Sequence, residues 1–290
     1  MVAECTNGLD TGFVSLGYAK VMALGVVQGI TELMPISSTA HMRLVPAVLG
    51  WRDPGSAFSA AMQLAALAAV VTYFWSDVRG LVFGSVSAVA RRDWRDKSFQ
   101  FAAAIVLATI PIVIGGLLLS PILNACNSPL RGLMVIGWAS LGMSLLLALA
   151  EILCQHRRTL ASGTLVDALI IGIAQVGALI PGVSRSGSTL TAALFLNFKR
   201  AEAARFSFLL GLPAITLAGF KEIWELRDAS LDAYGWSVLG VGLFVASLSA
   251  FAAIWGLLRI LERYSAWPFV VYRALMGLVL VVGGYLGWIA

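Results

Sequence analysis

A chain of 290 residues that is 59% hydrophobic and 12% charged, with mean hydropathy +0.89, cannot be a soluble globular protein. One aqueous core stops growing near this size and cannot hide so much apolar surface, whereas a bilayer acts as the apolar solvent. The net charge of +5 comes from basic residues between apolar runs, which sets membrane topology and points to no nucleic-acid partner.

Taken in chain order, Glu4 and Asp10 stand where a cleaved leader would carry basic residues, so the N-terminus does not read as a signal peptide. Gly17–Leu49 follows as an apolar run interrupted at Pro35 by a Ser/Thr cluster, then a second short apolar run. Proline stops the first helix and Ser37 can cap the next, the pattern of a re-entrant helical hairpin. Pro54–Ser76, Phe99–Leu130, Gly132–Ala150 and Ala233–Leu258 carry no Asp, Glu, Lys or Arg, and each reaches the roughly 18 residues a spanning helix needs. None shows period-2 alternation, which excludes barrel strands. Between them, Asp77–Lys97 holds Arg79, Arg91, Arg92, Arg95 and Lys97 and is expected to be a cytoplasmic loop. The uncharged loop Ser120–Leu130 is expected outside, and Arg157 and Arg158 bring the chain back inside. Leu165–Phe198 repeats the hairpin pattern around Pro181, with Ser184 as the capping residue. Lys221–Tyr234, with two basic and four acidic residues, is placed outside, and Lys199, Arg200, Arg259 and Arg263 inside.

Sliding the sequence by 147 places Gly25-Val-Val-Gln28 on Gly172-Ile-Ala-Gln175, and Ser37 on Ser184. The shared positions are polar, Gly or Pro, which apolar bias alone does not supply. The expected architecture is therefore all-α and polytopic, one membrane domain built as an inverted-topology repeat (about 13–150 and about 160–290) with two re-entrant hairpins. Such folds place their site near the midplane, where broken helices meet.

Embedded polar groups are costly, so the two hairpin tips are the functional candidates. Gln28 and Glu32 share one helix face, four residues apart. Ser37, Ser38, Thr39 and His41 follow Pro35, and the spacing lets the imidazole meet a hydroxyl on the first helical turn. Ser184, Arg185, Ser186 and Gly187 form the other tip. Serine-capped helix N-termini and a guanidinium suit phosphate. A Ser–His pair supplies a nucleophile and a general base or acid, and Glu32 can orient the histidine, carry a proton or bind Mg²⁺ or Ca²⁺. Serine attack, histidine attack and direct water attack all stay open. Ser59, Ser140, Ser144 and Ser247 read as packing residues. Arg43 and Arg273 read as snorkelling side chains near helix ends, His156 as a surface residue and Asp167 as a cap or flank. Cys5, Cys126 and Cys154 have no metal-type spacing.

Gly25-Val-Val-Gln-Gly-Ile-Thr-Glu-Leu-Met-Pro-Ile-Ser-Ser-Thr-Ala-His-Met closely resembles the first signature of the undecaprenyl-diphosphate phosphatase (bacitracin-resistance) family. Leu179-Ile-Pro-Gly-Val-Ser-Arg-Ser-Gly-Ser-Thr resembles its second signature, and Ala203-Ala-Arg-Phe-Ser-Phe-Leu-Leu-Gly-Leu-Pro a third block. The resemblance implies hydrolysis of undecaprenyl diphosphate to the monophosphate carrier of cell-wall synthesis, and with it bacitracin resistance. It implies a bacterial inner-membrane protein of inverted-repeat fold with its site open to the periplasmic side; a homodimer is left open. Its acidic motif falls on Gln28 and Glu32, its serine and histidine on Ser38 and His41, and its arginine on Arg185. Gln28 departs from the more usual Glu, which puts a two-carboxylate metal site in doubt. The rival from another class is a prenyl-phosphate lipid flippase without hydrolysis, which needs no nucleophile–base pair. An intramembrane serine protease would leave Arg185 without a task.

Overall fold

A computed structural model describes residues 11–123, 130, 132–228 and 231–287; Cys5, Cys126 and most of the expected outer loop Ser120–Leu130 lie outside the described residues. The described chain is all-helical, apart from one isolated bridge between Arg158 and Phe198. Its helices are α1 (Gly17–Leu33), α2 (Ser38–Leu49), α3 (Ser56–Ala61), α4 (Gln63–Tyr73), α5 (Trp75–Arg91) and α6 (Lys97–Leu123). The second half gives α7 (Leu133–Leu153), α8 (Leu165–Val176), α9 (Arg185–Phe195), α10 (Arg200–Asp228), α11 (Ala233–Arg263) and α12 (Trp267–Tyr285).

Among the described residues, six helical segments are long and apolar enough to cross a membrane: Gly12–Leu33, Lys97–Leu119, Leu133–Leu153, Arg200–Arg227, Ala233–Arg263 and Trp267–Tyr285. The protein is a multi-pass membrane protein. Leu117, Leu118, Leu145, Phe244 and Leu275 point outward from these helices, which is what hydrocarbon contact favours. By contrast α2, α8 and α9, at 11 or 12 residues, are only about 18 Å long, roughly half the hydrocarbon thickness. They pack against their chain neighbours, α2 on α1 and α9 on α8. Half-length helices are compatible with re-entrant hairpins, while α1, within Gly12–Leu33, is by itself long enough to span.

Three expectations about spans and loops need correcting. The charge-free run Pro54–Ser76 is not one straight span, because the chain bends by 83° between Phe58–Tyr73 and Trp75–Arg91. Asp77–Lys97 is correspondingly no loop: most of it is α5, exposing Val82, Phe83, Val86 and Val89 together with its arginines. Counting charge located the basic end but missed an amphipathic helix of the kind that lies along an interface. Likewise the first part of Lys221–Tyr234 continues α10 as helix through Asp228.

Close backbone approach fixes the frame. Gly25 and Gly29 of α1 face α11, where a Cβ on Gly25 would sit 2.9 Å from the Gly242 carbonyl. This is small-residue packing of the membrane type. The helix pair α7 and α12 makes the matching contact on the other side. Ser59, Ser140, Ser144 and Ser247 all donate to backbone carbonyls, as packing serines do.

Candidate active site

Both tips share one unusual backbone geometry. Ser37 has φ 71° and Ser184 has φ 72°, left-handed values that non-glycine residues rarely adopt. Each is the N-cap of the following helix: Ser37 Oγ accepts from the Ala40 amide (3.4 Å) and Ser184 Oγ from the Gly187 amide (3.1 Å). The chain can therefore turn sharply after Pro35 and Pro181 while the first amides of α2 and α9 stay free for an anion.

The tips are tied together. Ser186 Oγ donates to the carbonyls of Glu32 (3.2 Å) and Met34 (3.0 Å). Arg273 of α12 donates to Pro35 O (2.9 Å) on one tip and to Gly182 O (2.7 Å) and Val183 O (3.0 Å) on the other. At 1% exposure it is a buried clasp, not a snorkelling side chain. Nothing in the spacing of α12 could have told an inward arginine from an outward one, since both sit in the same apolar run.

Glu32 is the hub. Its Oε2 accepts from Ser38 Oγ (2.5 Å) and Gln28 Nε2 (3.0 Å), and its Oε1 from Arg185 Nη2 (3.1 Å). Arg185 Nη1 also donates to the Gly211 carbonyl (3.2 Å). Glu32, Ser37, Ser38, Thr39, Ser184 and Arg185 line one cavity of about 370 Å³. Ile112, Val113 and Leu117 of α6, with Ile215 of α10, give it apolar walls, and Gln63, Lys221 and Glu222 add polar groups absent from the sequence reading. Gln63 is not singled out in the sequence and Lys221 falls in an expected outer loop; the continuation of α10 through Asp228 makes position 221 helical.

Gln28, His41, Ser186 and Gly187 are not on the lining. Gln28 supports Glu32 from behind, and Gly187 leaves room for Arg273, whose Nη1 would lie 2.8 Å from a Cβ there. His41 does not meet Ser38: its Nδ1 lies 2.7 Å from Ser37 O and its Nε2 2.6 Å from the Tyr272 hydroxyl. The carboxylate of Glu32, not the imidazole, takes the Ser38 hydroxyl, and both ring nitrogens of His41 are occupied by Ser37 O and Tyr272 instead, although positions 38 and 41 share one helix face. Tyr272 is a site-associated residue the sequence did not single out; beside Arg273 it looks like an interfacial aromatic.

The residues do not fit a resident metal cage. Glu32 is already engaged by a guanidinium and two neutral donors, and no cluster of three or more His, Cys, Asp and Glu side chains exists among the described residues.

Elsewhere, His156 is not a surface residue. Its side chain is 6% exposed, 3.8 Å from Glu151, which Arg200 also holds through Nη2 at 2.5 Å. Burial first, and Arg200 second, push its pKa below the ordinary 6.5. Asp167 forms a capping box with Thr164 and pairs with Arg158, and Arg43 pairs with Asp53. A larger cavity of about 980 Å³ opens between α5, α6, α8 and α10 at the basic end; its charged groups include the Asp77–Arg205 pair, but no serine there is joined to a carboxylate and an arginine as at the tips.

The family model described as bacitracin resistance protein BacA matches residues 21–279, nearly the whole chain. The chain belongs to this family. Its relatives include "Undecaprenyl-diphosphatase 2" of Mesorhizobium japonicum, 71% identical over 91% of this chain and 100% of that protein. "Undecaprenyl-diphosphatase" of Synechococcus elongatus is 50% identical over 90% of this chain and 91% of its own. The protein of that name from Synechocystis sp. is 46% identical over 98% and 88% respectively.

Proposed function

We propose that this protein is an undecaprenyl-diphosphate phosphatase, releasing inorganic phosphate and regenerating the monophosphate carrier. The observation that carries the reading is the joint placement of Ser38, Glu32 and Arg185 on one cavity that α6 and α10 also line with apolar side chains. Family membership and the relatives' names point the same way. The cell-wall and bacitracin-resistance roles follow from that activity.

In this reading the isoprenoid chain stays in the bilayer beside α6 and α10. The diphosphate enters between the first turns of α2 and α9, where Arg185 supplies the permanent charge and the amides after Ser37 and Ser184 the remaining donors. Ser38 Oγ attacks the terminal phosphorus as its proton passes to Glu32, and the phosphoanhydride bond breaks to leave undecaprenyl phosphate. Glu32 passes that proton to the departing undecaprenyl phosphate. Water, deprotonated by the freed carboxylate, then displaces inorganic phosphate from the phosphoserine, and the proton returns from Glu32 to Ser38 Oγ. Phosphoryl transfer depends chiefly on positioning and charge neutralisation, which this arrangement supplies. Arg185 and Glu32 offset each other, so a diphosphate brings more negative charge than the pair can balance. A divalent cation such as Mg²⁺ or Ca²⁺, were one to accompany the substrate, would offset the difference, and no residue of this chain is assigned to hold it.

The cavity lies along the second half of α6 and the later turns of α10, whereas Arg91, Lys97, Arg158, Lys199 and Arg200 gather at the other end. With basic residues inside, the site opens to the periplasmic face of the bacterial inner membrane. Every group named comes from one chain, so the chemistry does not depend on a homodimer. The test is phosphate release from undecaprenyl or farnesyl diphosphate by the purified protein beside Arg185→Ala and Ser38→Ala. Release by the wild type and a drop of about 10²-fold or more in both variants is expected. Lipid binding without any phosphate release sinks the reading and leaves lipid transport in its place.

A further inference from the structure

His41 sits behind the tip, with both ring nitrogens committed. A carbonyl oxygen only accepts, so the 2.7 Å contact with Ser37 O places the hydrogen on Nδ1. The lone pair of a neutral ring is then on Nε2, where the Tyr272 hydroxyl donates to it at 2.6 Å. The two rings lie nearly parallel, 7° apart with centroids at 5.6 Å. Neither nitrogen reaches Ser38, whose hydroxyl is held by Glu32, and His41 is not on the cavity lining.

What the imidazole does hold is the strained residue. Ser37 sits at φ 71°, ψ 97°, a conformation that persists only where the surroundings impose it. Its carbonyl accepts both the backbone amide of His41 (3.4 Å) and the ring Nδ1–H. The direction of Ser38, the next residue, follows from that conformation. Tyr272 is adjacent to Arg273, which holds the Pro35 carbonyl two residues earlier. Consecutive residues of α12 thus fix both ends of the turn that aims Ser38.

We infer that His41 is a positioning residue and that Tyr272 is a second one, selecting the Nδ1–H tautomer so that the ring can grip Ser37. A general acid or base at position 41 is not required by this arrangement. The inference rests on the phosphatase reading for its kinetic part but not for its spectroscopic part.

The chain has only two histidines, His41 and His156, so ¹⁵N-histidine NMR of His156→Gln protein in detergent reports on His41 alone. The expected spectrum is the Nδ1–H tautomer, the minor form of free imidazole, shifting toward the Nε2–H form in Tyr272→Phe. On the kinetic side, His41→Asn keeps an N–H donor close to the position of Nδ1–H and no titrating group. It should retain activity within about tenfold of wild type, while His41→Ala loses about 10²-fold, chiefly in kcat. Tyr272→Phe should lower kcat by about tenfold with KM little changed. An Nε2–H tautomer in the otherwise wild-type ring overturns the inference, and so does His41→Asn as inactive as His41→Ala. If the wild type releases no phosphate, the phosphatase reading falls, and the tautomer alone decides the clasp.

Discussion

Replacing Arg273 by methionine removes the α12 side chain that bonds to both tips while nearly preserving its volume. Three carbonyls, those of Pro35, Gly182 and Val183, lose a charged donor in a site that water does not reach. Hydrogen bonds to charged groups contribute about 1.5–3 kcal/mol each, which sets an upper range of roughly 5–9 kcal/mol. Against that, the buried guanidinium has no carboxylate partner among its contacts, and its removal recovers a desolvation cost of several kcal/mol. The net loss of stability should therefore be modest, about 2–3 kcal/mol. The kinetic loss should be larger than the structural one. Without this anchor the tips that carry Ser38 and Arg185 keep the Ser186 and Glu32 bonds but are freer to shift, and a misplacement near 1 Å costs about 10²-fold in rate. Arg273→Lys keeps the charge but cannot bridge both tips as a fork does, so it should fall between methionine and wild type. The assay is phosphate release with kcat and KM separated, beside thermal unfolding in the same detergent. A methionine variant that unfolds earlier yet keeps kcat within twofold would refute the argument that the clasp aligns the site.

Gly187→Ala should act through the same clasp, since its Cβ would press on Arg273 Nη1 and Ser184; a kcat loss that disappears in an Arg273→Met background would show the coupling, and additive losses would deny it. Glu32→Gln should cost about 10²–10⁴-fold in kcat as the base for Ser38 is lost, and a phosphoserine trapped by acid quench in wild type but absent in Ser38→Ala would identify the nucleophile; wild type with no trapped phosphate at any time would favour direct attack by water. For the metal, equilibrium dialysis of protein without lipid should find no Ca²⁺ site tighter than about 10⁻⁴ M, and a tighter one would contradict the absence of a resident cage. His156 is held below its ordinary 6.5, so its neutral form stabilises the fold. That contribution is intact above pH 6.5 and is lost as the pH falls toward the lowered folded value. Melting temperatures between pH 7.5 and 5.5 should drop more in wild type than in His156→Gln, and parallel curves would remove His156 from the account.

Much of this was legible in the residues because membranes make polar groups conspicuous. Glu32, Ser38 and Arg185 stand out in apolar sequence, and the 147-residue offset that pairs Ser37 with Ser184 pairs two backbones of the same left-handed geometry. What was not legible depends on rotation about helix axes. Whether Arg273 points in or out, whether His41 faces Ser38 or Tyr272, and whether Gln63 reaches a cavity on the far side of α6 are matters of a few tens of degrees. The sequence period cannot resolve them when every face is apolar. The bend at Phe74 was missed for a related reason. No proline or glycine marks it, and the charge-free run reads straight through.

The two tips also differ where it matters. Under the same offset, Ser38 corresponds to Arg185, and Glu32 to Leu179. One backbone solution, a capped helix start after proline, is thus used twice, with a serine hydroxyl on one tip and an arginine on the other. Gln28 and Gln175 show the same split. The first supports Glu32, while both amide atoms of the second are buried without a hydrogen-bond partner. A site built from one tip alone would place like groups together. Joining unlike tips across Glu32 sets a carboxylate between a serine hydroxyl and a guanidinium, and the proposed attack on phosphorus rests on that arrangement.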